Sequence, residues 1–308
     1  MFLTTHSPAF YGLCEVDSSV SSARYYVKKS DDGSSIEDSI SSRAISNLDR
    51  QLGLLPLVEP HIREAVEEAR QLRENLLDAQ KYLPHPSETS IFVEGLTDLT
   101  VISALLAGRI APHQIKSTPS GGANWVADCL LATVALGDKV GHSIGVLDGD
   151  RAGEEASERV NKLAPMLRKV PDNISKVRLA RLKPGAALLE LRSCKLKVPI
   201  ALEELASDGA WRQAEANGWL EERPDILEYN EWKDPNKSFF AHCADLGLSV
   251  EAFRILKYRV ALSYKEVFAA FVRSEIAGTD SMLEGGLLEL RKALETALGE
   301  VRQKKGHA

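Results

Sequence analysis

Two pairs of acidic residues in this chain have a type and spacing that favour binding of a divalent cation. Glu94 and Asp98 follow one short apolar stretch, and Asp148 and Asp150 follow another. In extended chain, residues two apart point to the same side, so Asp148 and Asp150 present their carboxylates together. Two carboxylates about 4 Å apart repel by roughly 4 kcal/mol at an effective dielectric of about 20, and a cation relieves this repulsion. Carboxylate oxygens of this kind suit Mg²⁺ or Mn²⁺.

A purely structural interpretation of the same residues stands beside the chemical one. Glu94 would then cap a helix, and Asp148 and Asp150 would be ordinary turn residues. Either motif alone is compatible with both interpretations. The two motifs lie 54 residues apart (148 minus 94), which leaves room for two βα units between them. Their combination favours a shared site.

The segment 90–182 alternates between short apolar stretches and amphipathic stretches, which predicts an α/β fold. Strands separated by helices of this length form βαβ units, which right-handed crossovers assemble into a parallel sheet flanked by helices. Such a sheet collects ligand sites at the carboxyl ends of its strands, where both acidic pairs fall. The predicted strands are 91–93, 114–118, 143–147 and 177–182, and the predicted helices are 97–107, 123–136 and 152–167.

Two motifs in this segment resemble the signature of a known domain family. Phe-Val-Glu-Gly-Leu-Thr-Asp at 92–98 and Asp-Gly-Asp-Arg-Ala-Gly at 148–153 are similar to the motifs of the Toprim domain. That domain is found in bacterial primases, topoisomerases and nucleases of the overcoming lysogenization defect (OLD) family. The resemblance implies a Toprim-type parallel sheet and cleavage of phosphodiester bonds with Mg²⁺ or Mn²⁺ as cofactor. The four acidic residues named above would then be both catalytic and metal-binding.

The first residues of the chain resemble a different element. Leu-Thr-Thr-His-Ser-Pro at 3–8 looks like the switch-histidine strand of ABC-type ATPases, and in the OLD family such an ATPase precedes the Toprim domain. A chance match of six residues is the alternative. The sequence contains no Gly-x-x-x-x-Gly-Lys-[Ser/Thr] phosphate loop, so the chain cannot form that ATPase alone. The resemblance implies the C-terminal part of an OLD-type protein, either truncated or one half of a split system.

Four segments are predicted along the chain. They are an ATPase remnant at 1–50, a helical linker at 51–88, the Toprim domain at 89–190 and a helical C-terminal region at 191–308. A short strand that ends in a polar turn over 2–8, a second strand at 24–27 and a turn or loop at 30–35 are expected in the first segment. In the linker, apolar residues at helical spacing, separated by Arg and Glu, predict an amphipathic connector helix over 60–80. These apolar residues are Ile62, Val66, Ala69, Leu72 and Leu76.

A glycine-containing turn between the two acidic motifs is a candidate phosphate-binding site. Ser120, Gly121 and Gly122 follow a predicted strand and open a predicted helix. Glycines there allow backbone N–H groups to approach a phosphate, assisted by the helix dipole. The alternative is an ordinary βα turn.

The resemblance to OLD-like proteins adds two candidates beyond the predicted sheet. In that family a further acid follows the sheet, and a lysine faces the scissile phosphate. Glu203 or Glu204 is the candidate for the acid as an additional metal ligand, and Lys257 is the candidate for the lysine. Solvated helix residues are the alternative for each.

Charge is distributed unevenly along this acidic chain. The net charge is -6, but nine basic and two acidic residues between 168 and 197 give that stretch +7 and the remainder -13. A local basic strip on an acidic protein can follow phosphates, although a solvated face is the alternative. Lys176, Arg178 and Arg181 are the predicted nucleic-acid contacts.

Several protein classes are excluded by the sequence. It has no apolar run long enough for a bilayer span and no secretory signal pattern, so a cytoplasmic protein without a membrane partner is expected. The four cysteines are scattered without ligand spacing, which argues against a zinc site or a disulfide framework. The expected partners are DNA and either a separate ATPase chain or further copies of this chain.

The sequence favours a metal-dependent endonuclease of OLD-like Toprim type that acts on DNA, with a role in phage defence. A non-catalytic Toprim subunit that regulates an ATPase partner is the alternative. A primase-like protein is a third possibility, weakened by the lack of a cysteine-rich zinc module. A topoisomerase would require a nucleophilic tyrosine, and none of the seven tyrosines stands in a recognisable context.

Overall fold

The computed structural model describes six stretches of the chain. These are residues 26–30, 33–37, 55–167, 176–223, 238–278 and 285–305. The chain divides into two compact units, residues 1–74 and 75–308. The predicted strand that contains His6 lies outside the described residues.

In the first unit, two short strands form an antiparallel hairpin. β1 (Tyr26–Ser30) pairs with β2 (Gly33–Glu37), from Tyr26 opposite Glu37 to Ser30 opposite Gly33. The turn or loop predicted at 30–35 is therefore wrong at Ser30, which ends β1, and at 33–35, which belong to β2. A single isoleucine in Gly-Ser-Ser-Ile-Glu gives no alternation of apolar and polar residues, so the strand left no periodic signal.

The predicted amphipathic helix is present as α1 (Leu55–Ala79) and begins before the division between the two units. It starts five residues earlier than the predicted 60–80. Pro56 is tolerated in its first turn, because the N–H that proline lacks has no partner within a helix at that point.

A four-stranded parallel sheet forms the centre of the second unit, and the predicted α/β class is confirmed. The strand order is β4 (Ile115–Lys116), β3 (Thr89–Phe92), β5 (His142–Leu147) and β6 (Val177–Arg181). All three pairings are parallel. The residues of β3 and β5 are buried throughout, as expected for central strands covered on both faces.

Helices connect the strands close to the positions that the apolar periodicity predicts. α2 (Leu96–Leu105) links β3 to β4, α3 (Gly122–Leu136) links β4 to β5, and α4 (Arg151–Leu167) precedes β6. α3 packs against both β5 and α4. The alternation of parallel strand and helix places the carboxyl ends of β3 and β5 beside each other, at one edge of the sheet.

The chain beyond β6 is mostly helical, as predicted, but it also contains two strands that the sequence did not indicate. β7 (Leu220–Glu222) pairs antiparallel with β8 (Tyr258–Val260). Each strand has only three residues, too few for an alternation to be recognised. The helices are α5 (Ala186–Ser193), α6 (Asp208–Ala216), α7 (Phe239–Ala244), α8 (Val250–Lys257), α9 (Lys265–Gly278) and α10 (Gly285–Lys305).

One hydrophobic core serves both the sheet and the C-terminal helices. Buried Ile91 and Ile144 of the sheet belong to the same cluster as Trp211, Phe268 and Leu294. α9 packs against α2, the helix that follows the first acidic strand. The segments predicted as 89–190 and 191–308 therefore share a core, and α9 lies beside the candidate site.

None of the helices in the described part of the chain combines the length and apolar character that a bilayer span requires.

Candidate metal centre

The carboxylate of Glu94 connects the two acidic motifs directly. Glu94 follows β3, and its Oε1 accepts a hydrogen bond from the backbone N–H of Asp148, which follows β5, at 2.8 Å. The two residues are 54 positions apart in the chain, and the parallel pairing of β3 with β5 brings them together. The predicted convergence of the two motifs at one sheet edge is confirmed.

Asp98 is held at the same edge by the first turn of α2. Its Oδ2 accepts the backbone N–H of Gly95 at 2.8 Å, and Gly95 is the N-cap residue of α2. This is the reciprocal half of a capping arrangement, in which an acid in the first turn satisfies a free N–H. The predicted helix-start role and the predicted site role thus fall on the same residue.

The second motif turns sharply from β5 into α4. The Oδ1 of Asp150 accepts the N–H of Gly153 at 2.8 Å, which fixes the start of the helix. A Cβ at Gly153 would lie 2.1 Å from the carbonyl oxygen of Asp148, so only glycine fits there. The N–H of Gly149 donates to the carbonyl oxygen of Ile200 at 2.6 Å, and this hydrogen bond joins the motif to the chain beyond β6.

Glu203 and Lys265 complete the site from the C-terminal part of the chain. Glu203 lies in a 3₁₀ turn (Leu202–Leu205), and its side chain is only 10% exposed. Its Oε1 is 2.9 Å from Nζ of Lys265, the first residue of α9. Glu203 also borders, with Asp98 and Phe268, a small cavity between α2 and α9. Of the two candidates for a further acid, Glu203 is the one that lies beside the acidic motifs, and metal binding by it stays a prediction.

The electrostatics of the site centre on Asp148. Burial, followed by the charges of Asp98, Glu94, Glu203 and Asp150, raises the pKa of Asp148 to about 9. Its carboxylate has no hydrogen-bond partner among the described residues. An uncompensated carboxylate in this position favours either a bound proton or a bound cation.

The neighbouring groups respond to the same crowding of negative charge. Burial and the charge of Glu203 raise the pKa of Asp98 to about 7, although the N–H of Gly95 opposes the shift. Burial also raises the pKa of Glu94. Burial lowers the pKa of Lys265, but the carboxylate of Glu203 outweighs this effect and raises it overall. Lys265 is therefore a firmly protonated cation beside the acids.

The donor set is composed of anionic oxygens, which suits a hard divalent cation. Among the described residues, no three His, Cys, Asp or Glu side chains stand in an arrangement that holds a metal ion as it is. The reason is local, because Glu94, Asp98 and Asp150 each direct one oxygen to a backbone N–H. Glu94 is also hydrogen-bonded to the backbone of Ala123, whereas the carboxylate of Asp148 has no hydrogen-bond partner among the described residues. The anionic oxygens fit the chemistry of Mg²⁺ or Mn²⁺, and side-chain rearrangement would be required to surround the ion.

Glu204, which was a candidate metal ligand, has a structural role instead. Its Oε1 forms a buried ion pair with Arg223, and its Oε2 accepts the N–H of Ala201 at 2.8 Å. Arg223 also donates to the carbonyl of Ile255 at 2.8 Å. Both carboxylate oxygens of Glu204 are thus engaged, and the assignment of Glu204 as a ligand is corrected.

Lys257, which was the candidate catalytic lysine, also lies elsewhere. It ends α8, and its Nζ is 3.4 Å from Glu222 of β7 and 5.0 Å from the ring centroid of Tyr258. The lysine in electrostatic contact with the acids is Lys265, eight residues later. Nothing in the sequence around Lys265 marks it, because its position depends on the packing of α9 against α2.

The predicted phosphate cradle is not formed by the glycine N–H groups. The N–H of Gly121 donates to the carbonyl of Thr118 at 3.0 Å, and the N–H of Gly122 donates to the carbonyl of Glu94 at 2.8 Å. A Cβ at Gly121 would lie 2.8 Å from that same carbonyl. The turn at Ser120 therefore supports the backbone beneath Glu94, and phosphate binding by these two N–H groups is corrected.

The predicted basic strip is not one continuous surface. Lys176 lies just before β6, at the amino ends of the strands, whereas Asp148 lies at their carboxyl ends. The Nζ of Lys176 donates hydrogen bonds to the carbonyls of Gly137 and Val140 at 3.0 and 3.3 Å. Arg178 and Arg181 are three residues apart in β6, so their side chains leave opposite faces of the sheet. The residues 168–175 at the start of the strip lie outside the described part of the chain.

We call the carboxyl ends of β3 and β5, where Glu94 and Asp148 lie, the acidic edge of the sheet. Arg181 is the one of these three basic residues that approaches it. It is the last residue of β6 and pairs with Leu147, the residue before Asp148. It is exposed, and its guanidinium donates to Ser157 on α4 at 2.5 Å.

Comparison of the chain with protein-family models, with curated proteins and with solved structures finds no match in any of the three.

Proposed function

We propose that the chain is a Mg²⁺- or Mn²⁺-dependent phosphodiesterase of Toprim type that cleaves DNA. The observation that carries this proposal is the half-buried carboxylate of Asp148, which has no hydrogen-bond partner among the described residues and lies amid four other acids. A purely structural cluster would pair its carboxylates with cations, since unpaired buried charges are costly. Among the described residues, Lys265 is the cation that bears on the cluster, and one positive charge leaves most of the negative charge without compensation.

Roles follow from the position of each side chain. Asp148 and Asp150 would hold one divalent ion, and Glu94 and Asp98 would hold or position a second, with Glu203 at its margin. When bound, such ions activate water and stabilise charge on the attacking and leaving oxygens. Lys265 would place its ammonium group against the scissile phosphate, in the role that the sequence assigned to Lys257.

DNA is the substrate favoured by the resemblance of the two acidic motifs to the Toprim signature. The same resemblance supports a place in phage defence and an ATPase partner supplied by a separate chain. Arg181, at the end of β6 next to the acidic edge, is the predicted phosphate contact that fits this placement best.

Cleavage of supercoiled plasmid tests the proposal. We expect nicking in Mg²⁺ or Mn²⁺ but not in chelator, and loss of at least about 100-fold in rate for Asp148→Asn and Asp150→Asn. Asp138→Asn is the matched control, because Asp138 is an exposed aspartate in the 3₁₀ turn before β5, at the other edge of the sheet. Equal rates in the parent, both site variants and the control would show that the site is wrongly assigned.

A second candidate function is a non-catalytic subunit that retains the fold and regulates an ATPase. The observation that favours it is the lack, among the described residues, of three side chains already arranged to hold a metal. In that case the purified chain would show neither metal-dependent nicking nor metal binding. Metal binding without nicking would instead indicate that an activating partner is missing.

A further inference from the structure

The helix α1 carries a repeating apolar seam that is left open to solvent. Apolar residues recur at alternating spacings of three and four, the a and d positions of a heptad repeat. Ile62 is 47% exposed, and Val66, which flanks the seam, is 62% exposed. The seam positions are Ile62, Ala65, Ala69, Leu72 and Leu76. Ile62, Ala65 and Ala69 are exposed, Leu72 and Leu76 are half-buried, and Ala79, which continues the repeat, is buried.

The spacing favours a helical partner over a flat surface. An apolar repeat of 3.5 residues on average keeps facing a second helix that winds around the first, whereas a straight surface helix follows a period of 3.6. α1 is 25 residues long, and helices of this length that expose an apolar stripe derive most of their stability from packing.

Charged residues beside the seam indicate which helix the partner is. Glu68 occupies a g position and Arg73 the e position that follows it, five residues later. In a parallel, in-register pair of identical helices, each g residue faces the e residue five places on in the other copy. Glu68 would therefore meet Arg73 of the second copy, twice in each dimer. An antiparallel pair would bring g positions against g positions, and the g positions His61, Glu68 and Asn75 include no arginine.

The ion pairs within α1 agree with this assignment. Arg70, on the side away from the seam, already pairs with Glu67 at 3.8 Å and Glu74 at 3.1 Å. Glu68 and Arg73, by contrast, have no ion-pair partner among the described residues. The two charges that flank the seam are the ones left available for a second chain.

We infer that α1 is a dimerisation helix, which pairs with α1 of a second copy of this chain as a parallel, in-register coiled coil. The seam from Ile62 to Leu76 supplies the apolar contact, and reciprocal Glu68–Arg73 pairs set direction and register. The inference does not rest on the proposed cleavage activity.

Sedimentation velocity of the full chain over a dilution series tests the inference. We expect a concentration-dependent dimer, and a monomer for the double variant Ile62→Glu, Leu72→Glu. Leu77→Glu is the control, because Leu77 is on the same helix, is 52% exposed and lies off the seam; it is expected to dimerise like the parent. A parent that stays monomeric at the highest concentration, or a dimer that survives in the double variant, would overturn the inference.

Charge reversal tests direction and register without disturbing the apolar residues. Glu68→Arg and Arg73→Glu each create two like-charge contacts per dimer, so each should raise the dissociation constant on the order of tenfold. The combined variant Glu68→Arg, Arg73→Glu should restore the parental constant. If the combined variant is as weak as the single variants, the parallel in-register arrangement is wrong. Far-ultraviolet circular dichroism shows whether each variant keeps its helix content.

Discussion

Acidic side chains are compensated in two opposite ways in this molecule. In the helical part beyond the sheet, buried Glu204 is matched by Arg223, and half-buried Asp208 is matched by Arg254 at 2.6 Å. At the carboxyl edge of the sheet, Asp148 and its acidic neighbours share Lys265. Matched pairs of this kind are explained by the fold alone, whereas an unmatched cluster is costly and is the basis of the proposal that a bound cation supplies the missing charge.

Glu203 and Glu204 show this difference at adjacent positions. Glu203 faces the acidic edge through Lys265, and Glu204 turns into the core to meet Arg223. A 3₁₀ turn directs the two side chains to different sides. Adjacent residues of the same type can therefore belong to the site and to the scaffold.

The largest expected effect on stability follows from breaking the matched pair. Glu204→Gln leaves the buried guanidinium of Arg223 without its anion, which should lower the free energy of unfolding by about 3–5 kcal/mol. Glu203→Gln should change it by less than about 1 kcal/mol, because the partner Lys265 retains solvent access. Urea denaturation measures both variants. Equal losses for both would remove the distinction between a scaffold acid and a site acid.

The next effect concerns the lysine of the site. Lys265→Gln should slow plasmid cleavage about 100-fold, because a fixed cation aimed at developing charge typically contributes this much. Lys257→Gln serves as the control, since Lys257 lies beside Glu222 and the ring of Tyr258, and should cleave at the parental rate. Slow cleavage by the Lys257 variant and normal cleavage by the Lys265 variant would show that Lys257, and not Lys265, acts at the site.

A third prediction is that the metal-free protein loses stability as the pH rises. The pKa of Asp148 is raised to about 9 and that of Asp98 to about 7, while in the unfolded chain both ionise near pH 4. Between those values the unfolded state releases protons that the folded state retains, so the free energy of unfolding falls from about pH 4 towards pH 9.

Thermal unfolding in chelator at several pH values measures this slope. Asp148→Asn should make it shallower and should raise the melting temperature at pH 8, because the folded parent must keep a proton on Asp148 that the unfolded chain releases at this pH. A parental protein whose metal-free stability is constant between pH 5 and pH 8 would contradict the electrostatic description of the site.

The smallest effect is expected from the basic residues. Arg181→Gln should reduce the slope of log binding constant against log salt by about one, as for one lost phosphate contact. Lys176→Gln should leave that slope unchanged, because Lys176 is bound to Gly137, Asp138 and Val140 at the other edge of the sheet. Filter binding of duplex DNA over a salt series separates the two. A larger change for Lys176 would indicate that DNA follows the far edge.

The elements of the sheet and the convergence of its acids were predictable from the sequence, because both depend on local signals. Apolar runs and helical periodicity located β3, β5 and the helices between them, and parallel pairing then fixed Glu94 beside Asp148. Gly153 is also a local requirement, since the turn into α4 passes within 2.1 Å of where its Cβ would be.

The errors arose where a role depends on packing between distant segments. Lys265 reaches the site because α9 packs against α2, and no motif announces that contact. Gly121 and Gly122 matched a phosphate-binding pattern, but their N–H groups are used by Thr118 and Glu94. Charge counting along the chain placed Lys176 and Arg181 in one strip. In the structure Lys176 lies just before β6 and Arg181 ends it, so the two residues lie at opposite ends of the strand.

Divalent-metal binding by the purified chain tests the central claim most directly. Calorimetric titration with Mn²⁺ at pH 8, together with the melting temperature, should show binding that stabilises the parent and the exposed-site control Asp138→Asn. Asp148→Asn should fold, melt at or above the parental temperature in chelator, and show neither the binding heat nor the metal-dependent rise. The same heat and the same rise in Asp148→Asn as in the parent would contradict a metal site at the acidic edge of the sheet.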